Sequence, residues 1–217
     1  IAGKLPGFES VFVKLPYGNA FADMLKNLMF FRPPDADIYH VTGQVHYIAL
    51  LLPPEKTILT IHDIGFLHLR SGIRRYILKK LFLDWPLRRL KYVTVVSEAT
   101  RSEVLEHAGF ARDKIEVIEN PLLGGFNAGE STRFNADRPT ILQVGITPNK
   151  NIPRLLDALR GISCKLRVIG TPDRELEEAI AGSGVDCEIA FGLSSEEMRG
   201  EYQRADIVAF CSIYEGF

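Results

Sequence analysis

Short runs of β-branched and apolar residues alternate with helical periods along most of the sequence, and this alternation constrains the fold more than any other feature. The helical periods at 98–107, 152–159 and 175–181 each stop at or before a glycine. Strands that alternate with helices build parallel sheets with helices on both faces. The sequence therefore predicts an α/β fold, with strands at 38–42, 57–61, 92–96, 115–118, 141–144, 165–169, 187–191 and 207–211.

The alternation breaks once, between Asn120 and Pro139, where glycine, proline, asparagine and serine crowd a stretch without period. We place a linker at 121–138, between Rossmann-like, doubly wound domains at 1–120 and 139–217. A further helix is predicted after Ser194, because Ser194 and Glu197 have capping-box spacing. Its apolar face would carry Met198 and Tyr202. The segment before the linker carries a formal charge of +3 and the remainder −4, so we expect the two halves to face each other across a cleft.

Composition excludes several classes of protein. No apolar run approaches the ~20 residues of a membrane-spanning helix, and the first residues do not have the layout of a secretory signal. Three cysteines without a C-x-x-C pair argue against a disulfide framework or a zinc site. A net charge of −1 argues against bulk binding to nucleic acid. We therefore expect a cytoplasmic protein that binds no metal and no nucleic acid.

One segment, 70–91, is strongly basic, with eight lysines or arginines and a single aspartate. Ile73, Ile77, Leu81 and Phe82 interleave at helical spacing with cations, Arg74, Arg75, Lys79 and Lys80. Two interpretations remain open. The helix could rest on an anionic membrane leaflet, which would make the protein peripheral at the inner membrane face, or its apolar stripe could be core and its cations solvated.

Two loops of the second half are candidates for a ligand site. In a doubly wound sheet, ligands bind beyond the carboxyl ends of the strands where the strand order reverses, here between the first and fourth strands of the half. The first loop, 145–151, places Gly145 and Lys150 before a helix, which is an arrangement that binds anions such as a diphosphate. The second, 212–217, would bring Glu215 and the N–H of Gly216 to the same crevice. Neither half contains the G-x-G-x-x-G motif of nicotinamide or flavin enzymes, so no such cofactor is predicted.

In the first half, His62 directly follows the strand at 57–61, at the carboxyl end where ligands bind. Such a histidine can hydrogen-bond a substrate hydroxyl, or it can tie its own loop to the backbone. The other histidines have no metal-ligand spacing, and we interpret them as structural: His40, His46, His68 and His107.

These loops resemble a known family. The segment 141–159 is similar to the donor-phosphate loop and helix of the retaining glycosyltransferases of family four, also called group 1 glycosyltransferases. The segment 205–217 resembles the strand that leads into their paired-glutamate motif, while 60–63, 95–98 and 117–121 look like their amino-domain and linker signatures. The resemblance implies a GT-B fold with an acceptor-side domain at 1–120 and a donor domain at 139–217. It also implies transfer of a sugar from a nucleotide-diphosphate sugar to a glycan or lipid-linked acceptor, with retention at the anomeric carbon, as in cell-envelope polysaccharide biosynthesis.

Carried over by position, the resemblance assigns roles to single residues. Lys150 would hold the donor diphosphate, which Gly145 allows to approach, and Glu215 would bind the donor sugar hydroxyls. His62 would contact a hydroxyl of the reacting sugar. The resemblance implies that the reaction needs no metal. The remaining donor contacts would be made by Thr147, by Leu193 beside the nucleobase, and by the backbone N–H groups of Gly216 and Phe217.

The sequence departs from the family pattern in three places. Ile146 stands where many members have an arginine, so Lys150 would act with less help. The second glutamate of the pair and the opening glycine-rich loop would lie beyond Phe217 and before Ile1, so we expect a longer complete protein and an inactive fragment. Two other functions remain open: a nucleotide-sugar epimerase of similar fold, and a catalytically silent module that binds sugar nucleotides.

Overall fold

The computed structural model describes residues 7–18, 20–68, 70–121 and 134–216. Phe217 and most of the predicted linker lie outside the described residues. The chain divides into two compact units, one that runs to Asn120 and also takes in Gly216, and one that covers Pro121–Glu215.

The first unit is built on a four-stranded sheet in the order β1 (Tyr39–Val41), β2 (Thr57–Ile61), β3 (Tyr92–Val95) and β4 (Ile115–Val117). All three pairings are parallel, and Thr60 of β2 lies beside Thr94 of β3. Each strand falls within a predicted strand. Leu59 and Ile61 of β2 are fully buried, because alternate side chains of a strand point to the same face and this face is covered by helices.

Four α-helices of the described part of the chain accompany this sheet. They are α1 (Phe21–Phe30), α2 (Gly72–Lys79), α3 (Trp85–Arg89) and α4 (Glu98–His107), with short 3₁₀ turns at His46–Leu51, Pro54–Lys56, Gly65–Leu67 and Gly109–Lys114. Helix α4 has the predicted bounds, and the Ser97 hydroxyl caps it by accepting a hydrogen bond from the Thr100 N–H at 3.1 Å. Helix α1 was not predicted from the sequence.

A π-helical turn, Lys80–Asp84, joins α2 to α3. The buried Asp84 carboxylate accepts hydrogen bonds from Lys79 (2.6 Å) and Lys80 (2.7 Å). Pro86 follows and has no N–H to offer the Phe82 carbonyl four residues earlier. A proline inside a helix removes an i→i−4 hydrogen bond and its ring crowds that carbonyl, so the regular ladder is disturbed here. The predicted helix of the basic segment is therefore present, but it is interrupted at its centre.

The second unit repeats the pattern with a parallel sheet in the order β7-β6-β5-β8. Its strands are β5 (Thr140–Val144), β6 (Lys165–Ile169), β7 (Cys187–Ala190) and β8 (Ile207–Ala209), and its helices are α5 (Ile152–Leu159), α6 (Arg174–Ser183) and α7 (Ser195–Arg204). The sequence predicted all seven elements. Helix α5 buries Ile152, Leu155, Leu156 and Leu159, the apolar stripe that its periodicity indicated.

Helix α7 begins at the predicted capping box, in which the Ser194 hydroxyl and the Glu197 side chain each accept the other residue's N–H. Its buried residue, however, is Glu201 rather than Met198 or Tyr202. The Arg167 guanidinium of β6 donates to both Glu201 carboxylate oxygens, at 2.9 and 3.0 Å. An ion pair therefore anchors a helix for which the sequence indicated apolar packing.

Together the two parallel sheets confirm the predicted α/β fold with two Rossmann-like halves.

Candidate functional site

The strand order of the second sheet reverses between β5 and β8, because β6 and β7 lie on one side of β5 and β8 on the other. This is the switch point at which ligands bind in open α/β sheets. The loops that follow these two strands are the two that the sequence singled out, 145–151 and 212–217.

Gly145 shapes the first of these loops. Its φ is +85°, a conformation that favours glycine, and its N–H donates to the Ile169 carbonyl at 2.8 Å. A Cβ at this position would lie 3.0 Å from Lys150 Cε, so the absence of a side chain lets Lys150 fold back over the loop. Thr147 lies exposed between them, and its carbonyl accepts the Lys150 N–H at 2.8 Å.

Lys150 and Glu215 meet at this point. Lys150 Nζ lies 2.6 Å from Glu215 Oε1, and their side chains are 20% and 28% exposed. The Lys150 ammonium also lies 5.5 Å from the centre of the Phe210 ring. Burial raises the pKa of Glu215, but the hydrogen bond and charge of Lys150 outweigh it and hold that pKa below its ordinary value. The site thus holds an ionised carboxylate against a cation.

Two asparagines that the sequence did not single out fasten the loops together. Asn149 Nδ2 donates to the Tyr214 carbonyl (3.1 Å) and to Glu215 Oε1 (3.3 Å), and Asn151 Nδ2 donates to the Cys211 carbonyl (3.2 Å). Their partners lie 60 residues or more along the chain, so only their position next to Lys150 could have indicated them. Leu193, the candidate nucleobase contact, is half-buried in the loop between β7 and α7.

In the first unit, His62 follows β2 and is half-buried. The next residue, Asp63, accepts two hydrogen bonds from Gln44 Nε2 at 3.1 and 3.2 Å and one from the Gly65 N–H at 2.9 Å. These bonds fix the backbone that carries His62. Gly216 groups with this unit, where its carbonyl accepts a hydrogen bond from the Ser97 hydroxyl at 2.8 Å.

Two further histidines lie close enough to His62 for its charge to affect them. Burial, and then His62, lower the pKa of His40, whose Nε2 lies 2.7 Å from Thr60 Oγ1. Burial lowers the pKa of His46 to about 4, and its Nδ1 lies 2.8 Å from the Phe82 carbonyl oxygen. Because a carbonyl only accepts, this nitrogen carries the hydrogen. We interpreted both histidines as structural, and the buried contact of His46 suits that role.

Within the described residues, no three histidine, cysteine, aspartate or glutamate side chains form a group that could hold a metal ion. No helix in this part of the chain is both long and apolar enough to cross a membrane.

Comparisons with known proteins place the chain in a family. Residues 4–122 match the family model described as Glycosyltransferase Family 4, and residues 127–217 match the model described as Glycosyl transferases group 1. No curated protein matches the sequence significantly.

Among solved structures, TarM is 16% identical over 82% of this chain and 37% of its own, with a TM-score of 0.58, which shows a likeness of fold. The structure of accessory secretory proteins 1, 2 and 3 from Streptococcus pneumoniae is 10% identical over 88% of this chain and 39% of its own, with a TM-score of only 0.40. The chain thus spans less than two fifths of the length of either protein. Since the first family model alone covers more than half of the sequence, the chain belongs to glycosyltransferase family 4.

Proposed function

We propose that the protein transfers a sugar from a nucleotide-diphosphate sugar to a glycan or lipid-linked acceptor, with retention at the anomeric carbon. The observation that carries this proposal is the meeting of Lys150 and Glu215 at the switch point, in a member of a glycosyltransferase family. A cation and a carboxylate side by side match the two chemically different parts of such a donor, its diphosphate and its sugar hydroxyls.

In this proposal Lys150 binds the diphosphate beside the N-terminus of α5, where unpaired N–H groups also favour an anion. As the bond between the sugar and the diphosphate breaks, negative charge develops on the diphosphate. Lys150 and the helix N-terminus would then stabilise the diphosphate more strongly, so no metal is required. Glu215 accepts hydrogen bonds from the sugar hydroxyls. His62 hydrogen-bonds a hydroxyl of the reacting sugar. Thr147 and the N–H groups of Gly216 and Phe217 line the donor, and Leu193 contacts the nucleobase.

Two rival functions give different products. A nucleotide-sugar epimerase would convert a sugar nucleotide without any acceptor, whereas a silent module would bind it without reaction. Ile146 favours the silent module, because it supplies no second cation and its side chain packs on the apolar core instead. Transfer would then require Lys150 and the helix end to stabilise the leaving diphosphate without an arginine.

The first test is ligand-detected NMR of the full-length protein with UDP-, GDP- and ADP-sugars, followed by turnover with candidate acceptors. The proposal expects one nucleotide class to bind and a product with the anomeric configuration of the donor. Inversion in the product would reject the retaining assignment. Binding with neither transfer nor conversion would support the silent module.

We also propose that the protein is cytoplasmic and touches the inner membrane face through α2. Most of the predicted apolar stripe is core: Leu81 and Phe82 are buried and Ile77 packs against the core that contains them. The start of α2 differs, because Ile73 and Tyr76 are 71% and 58% exposed and the arginines between them are exposed as well. Lys79 and Lys80 are less suited to bind lipid phosphates than the two arginines, because both lysines pair with Asp84. An exposed apolar pair flanked by arginines is the pattern of a helix that rests on anionic lipid.

Liposome flotation at low salt tests this contact. Each cation near an anionic surface contributes about 1 kcal/mol, or about fivefold in partitioning, so Arg74→Glu with Arg75→Glu should reduce recovery with anionic vesicles by at least roughly 25-fold. Arg112→Glu, an exposed cation elsewhere in the same unit, is the matched control. Equal recovery of the unaltered protein with neutral and anionic vesicles would end the membrane proposal without affecting the transferase proposal.

A further inference from the structure

Lys150 already has an anion beside it, the carboxylate of Glu215. The two groups are 2.6 Å apart and mostly shielded from solvent. A diphosphate that binds at Lys150 needs the same positive charge. The carboxylate and the diphosphate therefore compete for one cation, and the ion pair must loosen before a diphosphate can take its full interaction with Lys150.

Glu215 cannot simply move far from the diphosphate. Asn149 Nδ2 bonds both its carboxylate and the Tyr214 carbonyl, and the Ile213 N–H donates to the Asn149 carbonyl at 2.9 Å. These bonds hold the Glu215 loop against the loop that carries Lys150. A diphosphate bound at Lys150 would thus lie close to the Glu215 charge.

The cost of that proximity depends on the ligand. The hydroxyls of an intact donor sugar can donate hydrogen bonds to the displaced carboxylate and replace Lys150 as its partner. A nucleoside diphosphate without a sugar offers no such hydroxyls at this place. Its phosphates would face a carboxylate that has lost its cation, and like charges repel.

We infer that Glu215 makes the site selective for the intact sugar nucleotide by weakening the binding of the free nucleoside diphosphate. The inference rests on the proposed function and deepens it, since it adds a second role to a residue proposed to bind the sugar. The same competition would promote release of the nucleoside diphosphate once the sugar has been transferred.

Calorimetry with inorganic pyrophosphate, with UDP, GDP and ADP, and with UDP-glucose, GDP-mannose and ADP-glucose tests the inference. Glu215→Gln should bind pyrophosphate and the matching nucleoside diphosphate about fivefold more tightly, the scale of a partly exposed ion pair. Its preference for the sugar nucleotide over the diphosphate should fall by at least that factor. Asp157→Asn removes one carboxylate from α5, where its side chain is 68% exposed, and should change these affinities less than about twofold.

A double variant shows whether the effect acts through the ion pair. In the Lys150→Ala background, Glu215→Gln should improve diphosphate binding clearly less than it does in the unaltered protein, because the competition for the shared cation is gone and only direct repulsion remains. Glu215→Asp provides a second approach if the glutamine variant folds poorly. It keeps the charge but withdraws it from Lys150 by one methylene, so it should also tighten pyrophosphate binding.

The outcomes separate this inference from the proposed function. If Lys150→Ala weakens diphosphate binding while neither Glu215 variant tightens it, the selectivity role is wrong and the donor site stands. A gain for Glu215→Gln that is equally large without Lys150 also overturns the inference, since competition for that cation would then contribute nothing. Failure of every variant to bind any of the seven probes rejects both.

Discussion

The two units use one architecture and place different chemistry at the carboxyl ends of their strands. In the first unit the groups there include the Asp63 carboxylate, which follows β2, and a polar row across three strands, in which Thr60 Oγ1 lies 2.7 Å from His40 Nε2 and 2.8 Å from Thr94 Oγ1. In the second unit they are charged and paired, as in Lys150 with Glu215. Neutral donors and acceptors suit sugar hydroxyls, whereas a cation beside a helix N-terminus suits a diphosphate. One fold can thus carry unlike chemistry at the strand ends of its two units.

The comparison predicts that the two units lose stability in different pH ranges, the largest effect that we expect. Burial lowers the pKa of His46 to about 4. Between pH 6.5 and 4 the unfolded chain binds a proton that the folded chain does not, so stability falls with the pH. The loss is about 2 kcal/mol at pH 5 and approaches roughly 3 kcal/mol at pH 4. Glu201 and Glu215 have lowered pKa values, so the stability that they add to the second unit is lost only at lower pH, below their ordinary value.

Trp85, the single tryptophan, lies in α3 and reports on the first unit. Urea unfolding followed by its fluorescence should show the loss between pH 7 and 5. His46→Gln should flatten the pH dependence, because glutamine can still donate to the Phe82 carbonyl but does not titrate. An equal slope in the unaltered protein and the His46 variant would show that this histidine does not carry the effect.

The second prediction separates Lys150 from His62 by the part of the donor that each contacts. In the full-length protein, Lys150→Ala should weaken binding of the donor and of the free nucleoside diphosphate alike, by about 1.5–3 kcal/mol for a lost charged hydrogen bond. His62→Ala should leave diphosphate affinity nearly intact and reduce turnover, because the diphosphate lacks the sugar that His62 would touch.

Calorimetry with the diphosphate and turnover with the full donor measure the two effects. Unchanged diphosphate binding in the Lys150 variant would reject the phosphate assignment. Unchanged turnover in the His62 variant would return His62 to a structural role. If both variants lost diphosphate binding equally, the proposed division of labour between the two units would be wrong.

What could be predicted from the sequence follows the range of the interactions involved. All eight strands and helices α4 to α7 were predicted, because their signals are local: β-branched runs, capping serines and terminal glycines. Helix α1 was missed. Its first residue follows Ala20, which makes no side-chain cap, and its buried Asn27 bonds Tyr17 and Tyr47, partners 10 and 20 residues away.

The same distinction applies to the candidate site. The strand–loop–helix pattern was enough to single out Lys150 and Glu215, because the carboxyl ends of neighbouring parallel strands lie at one edge of a sheet. Asn149 and Arg167 could not be found in this way. Their partners, Glu215 and Glu201, lie 66 and 34 residues further along the chain, and the contacts depend on side-chain packing between elements. The residues that fasten the site were therefore found only in the structure.

The smallest predicted effect concerns how the second unit holds its charged network. The Ser194 hydroxyl accepts the Glu197 N–H at 3.2 Å, and Glu197 Oε2 accepts the Ser194 N–H at 2.7 Å. Ser194→Ala removes the first of these bonds and leaves an N–H of the first turn without its acceptor, which should destabilise the unit by about 1 kcal/mol. Ser194→Gly should cost only a few tenths of a kcal/mol. Ser195→Ala is the matched control, since it changes a serine one position into the helix.

Hydrogen exchange measures this effect separately in each unit. Glu201 of α7 pairs with Arg167 of β6, so fraying of the first turn of α7 should reduce the protection of amides in both elements of the Ser194→Ala variant. The amides of α4 and β3, in the first unit, should keep their protection. Loss of protection in both units together would mean that they unfold as one cooperative body. The two units would then unfold together in acid, rather than in the two separate pH ranges predicted above.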